Sequence, residues 1–516
     1  MAGLSQGDAV DLFIIGGGIN GVGIARDAAG RGLSVVLAER DDLANGTSSA
    51  SSKLVHGGLR YLEHYEFRLV REALAEREVL MRIAPHLVRP LRFVMPYQPA
   101  LRPAWMIRVG LFLYDHLGGR SSLPASKGVD LRAREGNGLK PIFRRGFAYS
   151  DCSVDDARLV VLNARDAARN GAQILTRTSC VKARRDGTSW TITSEDLRTG
   201  LRRVFRARAL VNAAGPWVAQ VAENVAGIAP RDHVRLIKGS HVVVPRLYQG
   251  NHAYLLQNAD GRIVFVIPFE ERFSLIGTTE VAVDGYPGPV DISADEILYL
   301  REVVGGFIER SFDDKDIAWS YAGIRALYDD GSTDLSAVTR DYVLELDGDN
   351  GAPPLLSIFG GKVTTYRRLA EQGLDKLRPS FPRMKPRWTA GKSLPGGDIG
   401  SGGLLSFVSR LVASRPHLPP ELLGRLALRH GSEVEAVLGD ARETADLGTD
   451  FGGGLYEREV EHFVREEWAL TVDDVIWRRS KVGLHMPSGA TATLAGYLAR
   501  LTGTLDRLAP AGAEAR

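Results

Sequence analysis

The sequence predicts an α/β fold of the doubly wound kind with an all-α domain behind it, and three observations carry that prediction. An apolar strand, "DLFII" (11–15), runs into "GGGING", then into the helical pattern "VGIARDAAGRG" and a second strand, "SVVLAE", ending at Glu39. Far downstream, two more apolar strands run into small residues, in "ARALVNAAGPWV" and "PLLSIFGGKVTTYRRLAE". Beyond residue 403 helical periodicity alone remains.

At 516 residues the chain is longer than one hydrophobic core usually organises, so two or more domains are expected. A hydrophobic fraction of 44% against 25% charged residues is that of an ordinary globular protein, and 57 glycines imply many close backbone approaches. The net charge of +3 excludes a polyelectrolyte binder, so no nucleic-acid partner is expected. The two cysteines, Cys152 and Cys180, lack metal-ligand spacing and read as buried apolar residues in a reducing compartment, with no metal expected. The N-terminus has no basic region followed by an apolar one, and no run of about 18 apolar residues occurs, so a cytoplasmic chain without a membrane span is expected. Peripheral attachment to a membrane stays open.

Gly16, Gly18 and Gly21 stand at the three positions of a G-x-G-x-x-G turn between strand and helix. Gly16 permits the tight turn, Gly18 lets backbone approach a pyrophosphate, and Gly21 lets helix and strand pack closely, with the helix N-terminus facing the anion. Glu39, about 20 residues on, suits hydrogen bonds from a ribose and disfavours the extra phosphate of NADP. A single NAD-binding domain has no need of the two later returns. Ala213-Ala214-Gly215, and Gly360-Gly361 with Lys362 and Thr364, put small residues at a strand end where a flavin can lie against backbone, so FAD is the expected cofactor.

The stretch "SSASSKLVHGGLRYLEHYEF" (48–67) is too polar for a core element and too rich in specific donors for a solvated linker. With "GGGINGVGIARDAAGRG", "LRPAWMIRVGLFLYDHLG", "RLIKGSHVVVP", "RIVFVIPF", "LIGTTE" and "FGGKVTTYR", it closely resembles the aerobic, FAD-dependent sn-glycerol-3-phosphate dehydrogenases. The match runs from about Asp11 to Met486 and includes "DLGTDFG" and "DDVIWRRSK". The serine-rich block is its most specific part, because many unrelated dehydrogenases share the glycine turn. The resemblance implies an α/β FAD-binding Rossmann-like domain of the glutathione-reductase/D-amino-acid-oxidase type, interleaved over residues 1–390 with an antiparallel β-sheet substrate domain and followed by a C-terminal all-α domain. It also implies a homodimer, peripherally bound to the inner face of the plasma membrane, that oxidises sn-glycerol 3-phosphate and passes electrons to membrane quinone.

Thr47, Ser48, Ser49 and Ser52 suit hydrogen bonds to phosphate, ribose or flavin without adding charge, and Lys53 suits neutralisation of the pyrophosphate. His56, with Gly57-Gly58, is expected near the flavin ring. Arg60, Arg325 and Lys362 are cations in Gly-flanked, otherwise apolar segments. By resemblance Arg60 and Lys362 bind phosphate with Tyr61 beside them, and Arg325 stands by the reacting carbinol. The family usually has proline after that arginine, where this chain has Ala326. The proton acceptor stays open between His56 and His241, because histidine titrates near neutral pH; Arg325 would instead stabilise an alkoxide. Thr278, in "GTTE", is expected to hydrogen-bond substrate. Competing readings are a glycerol-3-phosphate oxidase using oxygen, a flavin amine or amino-acid oxidase, and a non-catalytic flavoprotein. The Arg60, Arg325 and Lys362 set argues against the last.

The segment "LRPAWMIRVGLFLYDHLGGR" is amphipathic and basic, which suits an anionic membrane surface as well as a core-facing helix. Residues 378–403 are Pro- and Gly-rich and read as a linker. Beyond them "LLSFVSRLVASR", "PELLGRLALRHG", "EREVEHFVREEWAL" and "TVDDVIWRRSKVGL" predict helices of an all-α domain over 404–516. Asp473, Asp474, Arg478 and Arg479 are expected to form surface or interface ion pairs, and the final "APAGAEAR" to fray.

Overall fold

The computed structural model describes residues 5–228, 234–285, 287–328, 341–348 and 351–508, so "APAGAEAR" lies outside it. Its first sheet is centred on Ser5–Ile15, which runs parallel to Val35–Ala38 on one side and to Arg202–Asn212 on the other. Gln173–Leu175 and Leu355–Phe359 extend the parallel ladder outward on the two sides. Val343–Asp347 and the hairpin Thr178–Asp186 with Ser189–Asp196 add antiparallel edges. Strands covered on both faces must be apolar throughout, and "VVLA" and "LLSIF" are buried at every position. Both late returns expected from the sequence thus join this sheet, Arg202–Asn212 beside the first strand and Leu355–Phe359 one strand further out. The order changes direction at Ser5–Ile15, which opens a crevice at the carboxyl ends of the strands. Ile19–Gly30 packs against Asp156–Arg169 and Tyr366–Leu377, and a Cβ on Gly23 would stand 2.8 Å from the Tyr366 ring.

A second, ten-stranded sheet is almost wholly antiparallel. Val234–Pro245 pairs with Trp319–Tyr328, Phe273–Gly277 and Val281–Val283. The ladder then continues through Ile263–Phe269, Ala253–Gln257, Val88–Pro96 and Arg145–Val154 to Leu54–Val55. The pair Ala253–Gln257 and Val88–Pro96 alone runs parallel among the described strands of this sheet. Ala294–Phe307 covers one face with Leu300, Val303, Val304 and Phe307. Phe67–Ile83 and Ala104–Leu117 cover the other with Val70, Leu74, Leu111 and Tyr114.

The C-terminal region is helical, as its periodicity predicts. Gly403–Ser414, Pro420–His430 and Val434–Leu438 close one small core, and Glu457–Glu467 and Ala490–Leu508 contribute to a second. "TVDDVIWRRSKVGL" forms a six-residue π-helical turn, Asp474–Arg479, and a short 3₁₀ helix, Val482–Leu484, in place of one α-helix, and the 19-residue helix Ala490–Leu508 was not among the expected elements. Residues 378–403 are packed rather than loose: Phe381, Met384, Thr389 and Leu394 are buried. Trp388 Nε1 donates to the Asp27 carbonyl at 3.1 Å, and the Arg26 guanidinium lies 5.0 Å over its ring.

Buried ion pairs join the helical region to the first sheet. Arg479 clamps both oxygens of Asp42 at 2.6 and 2.7 Å, Arg177 meets Asp474 at 2.6 Å, and Lys481 meets Asp155 at 3.0 Å. Asp474 and Arg479 are wholly buried, so they are interface groups and not surface ones. Desolvation raises the Asp474 carboxyl, but Arg177, Arg478 and Arg479 outweigh it and hold the group at about 2. Nearby, His430, His462 and Glu467 bring ligand-type atoms within 4.8 Å of one another, but Arg158 and Arg165 already balance the charge of Glu467.

Candidate functional site

A cavity of about 1170 Å³ occupies the crevice, running from Glu39 past Gly16, Gly18 and Ser48 to His56, Lys362 and Arg325. Its floor is the first strand-to-helix turn. Gly16 has φ +110°, and a Cβ there would lie 2.5 Å from the Ala213 carbonyl oxygen, so only glycine fits. Gly21 does not face the cavity; its Cβ would lie 1.9 Å from the Gly16 carbonyl oxygen, which is the close helix–strand contact expected of it. Gly18 is open, with only Ser48 Oγ, at 3.2 Å, near its missing Cβ. Ser48 Oγ accepts from the Ile19 amide at 3.0 Å, at the N-terminus of Ile19–Gly30.

Glu39 lines the far end, its carboxylate accepting from the Gly17 amide at 2.6 Å and the Asp41 amide at 2.8 Å. Burial raises its carboxyl above the usual range, and these two amides oppose the rise. Thr47 Oγ1 donates to the Ile324 carbonyl at 2.5 Å, tying the serine-rich turn to the second sheet, and Ser49 Oγ donates to the Gly46 carbonyl at 3.5 Å within the turn. At the near end, Gly215 has no atom within 4 Å of where a Cβ would stand. Gly360 and Gly361 both have positive φ, and Asn20 Nδ2 donates to the Gly360 carbonyl at 3.1 Å. Asn20 Oδ1 is buried on this wall without a hydrogen-bond partner. Thr364 Oγ1 accepts from the His56 amide at 3.3 Å.

Two residues expected at the cofactor are turned elsewhere. Lys53 is buried behind the turn, where its ammonium meets Asp156 at 2.9 Å and the Ser49 carbonyl at 2.9 Å and lies 4.8 Å over the Tyr321 ring, so it does not face a pyrophosphate. Gly57 is buried against Leu74 and Tyr114, and its neighbours His56 and Gly58 line the cavity instead. The Asp156 carboxylate draws Lys53 inward, and the Tyr114 hydroxyl, at 2.8 Å with the Asp151 carboxylate behind it, holds the Gly57 amide.

Arg60, Tyr61, Lys362, Arg325, Thr278 and His241 all line the same cavity. The Lys362 ammonium lies 3.9 Å over the Tyr61 ring. Arg325 meets Glu280 at 3.4 Å, and the Thr278 hydroxyl donates to the Thr279 carbonyl at 3.1 Å. His241 stacks on Tyr321 with 4.9 Å between centroids, and its Nε2 is 2.9 Å from Ser52 Oγ, so Ser52 serves the histidine. Burial, and then the charges of Lys53 and Arg325, push His241 down to about 3. Its Nδ1 is buried without a partner. The sequence reading missed Glu280, Tyr149, Trp319 and Tyr321 on the wall, and also Asp473, Trp477 and Arg478 from the helical region. Trp477 stacks on Trp319 at 4.4 Å. Only the alternation of the strand "WSYAGIRALY" signalled that Trp319, Tyr321 and Arg325 share a face.

A glycine cradle, an orphaned amide oxygen and a carboxylate at the ribose end fit an extended dinucleotide, and the open floor at Gly215 and Gly360 fits a flat ring system. A family model described as FAD dependent oxidoreductase matches residues 11–367, and one described as the C-terminal domain of alpha-glycerophosphate oxidase matches residues 388–506. A glycerol-3-phosphate dehydrogenase of Pseudomonas aeruginosa is 54% identical over 95% of this chain and 95% of its own length. A D-erythritol 1-phosphate dehydrogenase of Brucella abortus is 50% identical over 95% of this chain and 97% of its own. The crystal structure of the glycerol-3-phosphate dehydrogenase from Bacillus halodurans complexed with FAD superposes with a TM-score of 0.73 at 26% identity, over 96% of this chain and 89% of that one. With cavity, donor set and both domains in agreement, the chain belongs to the FAD-dependent glycerol-3-phosphate dehydrogenases.

Proposed function

We propose that this chain oxidises sn-glycerol 3-phosphate to dihydroxyacetone phosphate and passes the electrons to a membrane quinone. The observation that carries this reading is the presence of Arg60, Arg325 and Lys362 together on the wall of the nucleotide cavity, a cationic set suited to a phosphate dianion and a developing alkoxide. FAD, when bound, supplies the acceptor for the hydride leaving C2. Gly16, Gly18 and the helix N-terminus hold its pyrophosphate, Glu39 its ribose, Thr47, Ser48 and Ser49 its polar edge, and Gly215, Gly360, Gly361 and Thr364 its ring.

Lys362 and Arg60 bind the substrate phosphate, with the Tyr61 ring holding the lysine in place. Arg325, braced by Glu280, stabilises negative charge on the carbinol oxygen. Thr278 adds a hydrogen bond to the substrate. His241 is uncharged at neutral pH, because burial and two neighbouring cations hold it at about 3, so it receives a proton rather than giving one. A dianionic substrate beside it raises that proton affinity at the moment it is needed. Ser52 orients the ring through Nε2. His56, at the cavity wall and amide-bonded to Thr364, is the alternative acceptor.

A quinone is reached at a bilayer, and no helix among the described residues is long and apolar enough to cross one. Ala104–Leu117 turns Trp105 (66% exposed), Met106, Val109 and Phe112 (60% exposed) outward beside Arg108, which supports peripheral docking on anionic lipid at the inner face of the plasma membrane. The resemblance supports a homodimer. The test is an anaerobic titration of the detergent-solubilised protein with sn-glycerol 3-phosphate, followed by flavin absorbance. Bleaching reversed by a quinone analogue supports the reading; a bound flavin that stays oxidised sinks the substrate assignment, and stoichiometric peroxide in air moves the acceptor to oxygen. The Brucella abortus relative makes D-erythritol 1-phosphate the second substrate to titrate, and a higher kcat/KM for it would displace the first.

A further inference from the structure

We propose that Tyr114 is a positioning residue for the phosphate end of the cavity: its hydroxyl anchors the Gly57 amide and, through it, the turn that delivers Arg60 and Tyr61. The Tyr114 hydroxyl accepts from the Gly57 amide at 2.8 Å and donates to Asp151 Oδ2 at 2.7 Å. Asp151 Oδ1 is held by Arg77 at 2.8 Å and takes a second, longer bond from the Gly57 amide at 3.4 Å. Tyr114, Asp151 and Arg77 are 2%, 2% and 4% exposed, so no water competes for these bonds. Burial also drives the phenol well above its ordinary range, so the hydroxyl keeps the proton it donates.

The anchor acts at a point where the chain has little slack. A Cβ on Gly57 would lie 2.5 Å from Leu74 and 2.7 Å from the Tyr114 oxygen, so the backbone is pressed against its anchor. The next residue, Gly58, takes φ +74°, and the short 3₁₀ helix Leu59–His64 begins there. That helix carries Arg60 and Tyr61, and Lys362 lies over the Tyr61 ring. One buried hydroxyl therefore fixes where one proposed phosphate ligand, Arg60, and the ring beneath the other, Lys362, stand. Tyr114 touches neither substrate nor cavity, so it works through Gly57. It also belongs to Ala104–Leu117, whose other face is exposed at Trp105 and Phe112, so one helix carries both that outer face and the anchor.

The proposal rests on the reaction proposed above, and its test separates the two. Tyr114→Phe removes one oxygen and leaves the ring packed edge-on to Tyr149. Flavin content stays at the wild-type level, KM for sn-glycerol 3-phosphate rises about tenfold and kcat changes by less than about threefold. A lowered melting temperature with KM unchanged assigns Tyr114 a purely structural role and overturns the proposal. Should the variant not fold, hydrogen exchange on the wild-type holoenzyme decides: the Gly57 amide exchanges slowly, at least about a hundredfold below an open amide, and rapid exchange overturns the anchor. Because that second measurement uses no substrate, it stands even if the titration with sn-glycerol 3-phosphate fails.

Discussion

Replacing Lys362 by methionine removes the ammonium from the cavity while keeping the length of the side chain that lies over Tyr61. The ammonium is 3.9 Å from that ring, which itself sits beside Arg60, so the lysine is held in one place before substrate arrives. A charge-assisted contact of a held ammonium with phosphate is worth about 1.5 to 3 kcal/mol. Converted at about 1.4 kcal/mol per decade, that is a rise in KM of roughly 10- to 150-fold. Arg60 and Arg325 remain, so binding weakens without vanishing. The cofactor contacts proposed for Gly360 and Gly361 are made through backbone, so the ratio of flavin to protein absorbance is expected to be unchanged. Steady-state kinetics with a soluble quinone analogue gives KM, and the visible spectrum gives occupancy. A KM within twofold of wild type at full occupancy would remove Lys362 from the phosphate site, and loss of flavin would reassign it to the cofactor.

Gly18→Val meets only Ser48 Oγ, so the variant folds with a normal melting profile but purifies without flavin; full occupancy contradicts the pyrophosphate assignment. Glu296 is held at about 2 because Lys238, the Thr279 and Ser240 hydroxyls and the Ser293 amide outweigh the desolvation that would raise it. A carboxyl depressed in the folded state stabilises above its usual 4.5 and loses that contribution as pH falls toward about 2. Glu296→Gln therefore lowers stability at pH 7, and its urea midpoint converges on that of wild type through this window; a constant gap between the two refutes the linkage. Arg479→Ala removes the bidentate partner of Asp42, which keeps Arg478 and Arg177, and costs about 1.5 to 3 kcal/mol, measured by urea unfolding. Glu at both Trp105 and Phe112 lowers partitioning onto anionic vesicles by about tenfold or more in a sedimentation assay, with turnover in detergent retained.

What was legible in the sequence is what local patterning controls. Gly16, Gly18 and Gly21 announced a strand–turn–helix unit because their spacing between an apolar strand and a helical pattern is a local signal, although the atom that excludes a Cβ at Gly16 is the remote Ala213 carbonyl oxygen, and the two late apolar strands announced their return to the sheet because parallel strands are apolar throughout. Lys53 and Gly57 went astray for the opposite reason. Each lies beside true cavity residues, and its direction is decided by a partner remote in the chain, the Asp156 carboxylate for the one and the Tyr114 hydroxyl with Asp151 behind it for the other. Arg478 was legible as an ion-pair residue, but neither it nor Trp477 was legible as cavity wall, since their partners Asp42 and Trp319 are remote in the chain. Helical pattern located the C-terminal domain but not the face it turns to the cavity.

The wall contributed by Trp477 and Arg478 sets a limit on how short the chain can be and still hold its cofactor tightly. The glycine turn that starts the cavity leaves the ribosome first, but the side chains that close it are made near the end of translation. The Asp42 to Arg479 clamp, which seats that wall, joins the same two ends of the chain. A chain that ends before residue 477 therefore lacks that part of the wall and has an open groove in place of a closed one, so it is expected to hold flavin less tightly. Truncation before residue 477 is expected to lower the flavin content of the purified protein, even though every residue of the glycine turn has been made.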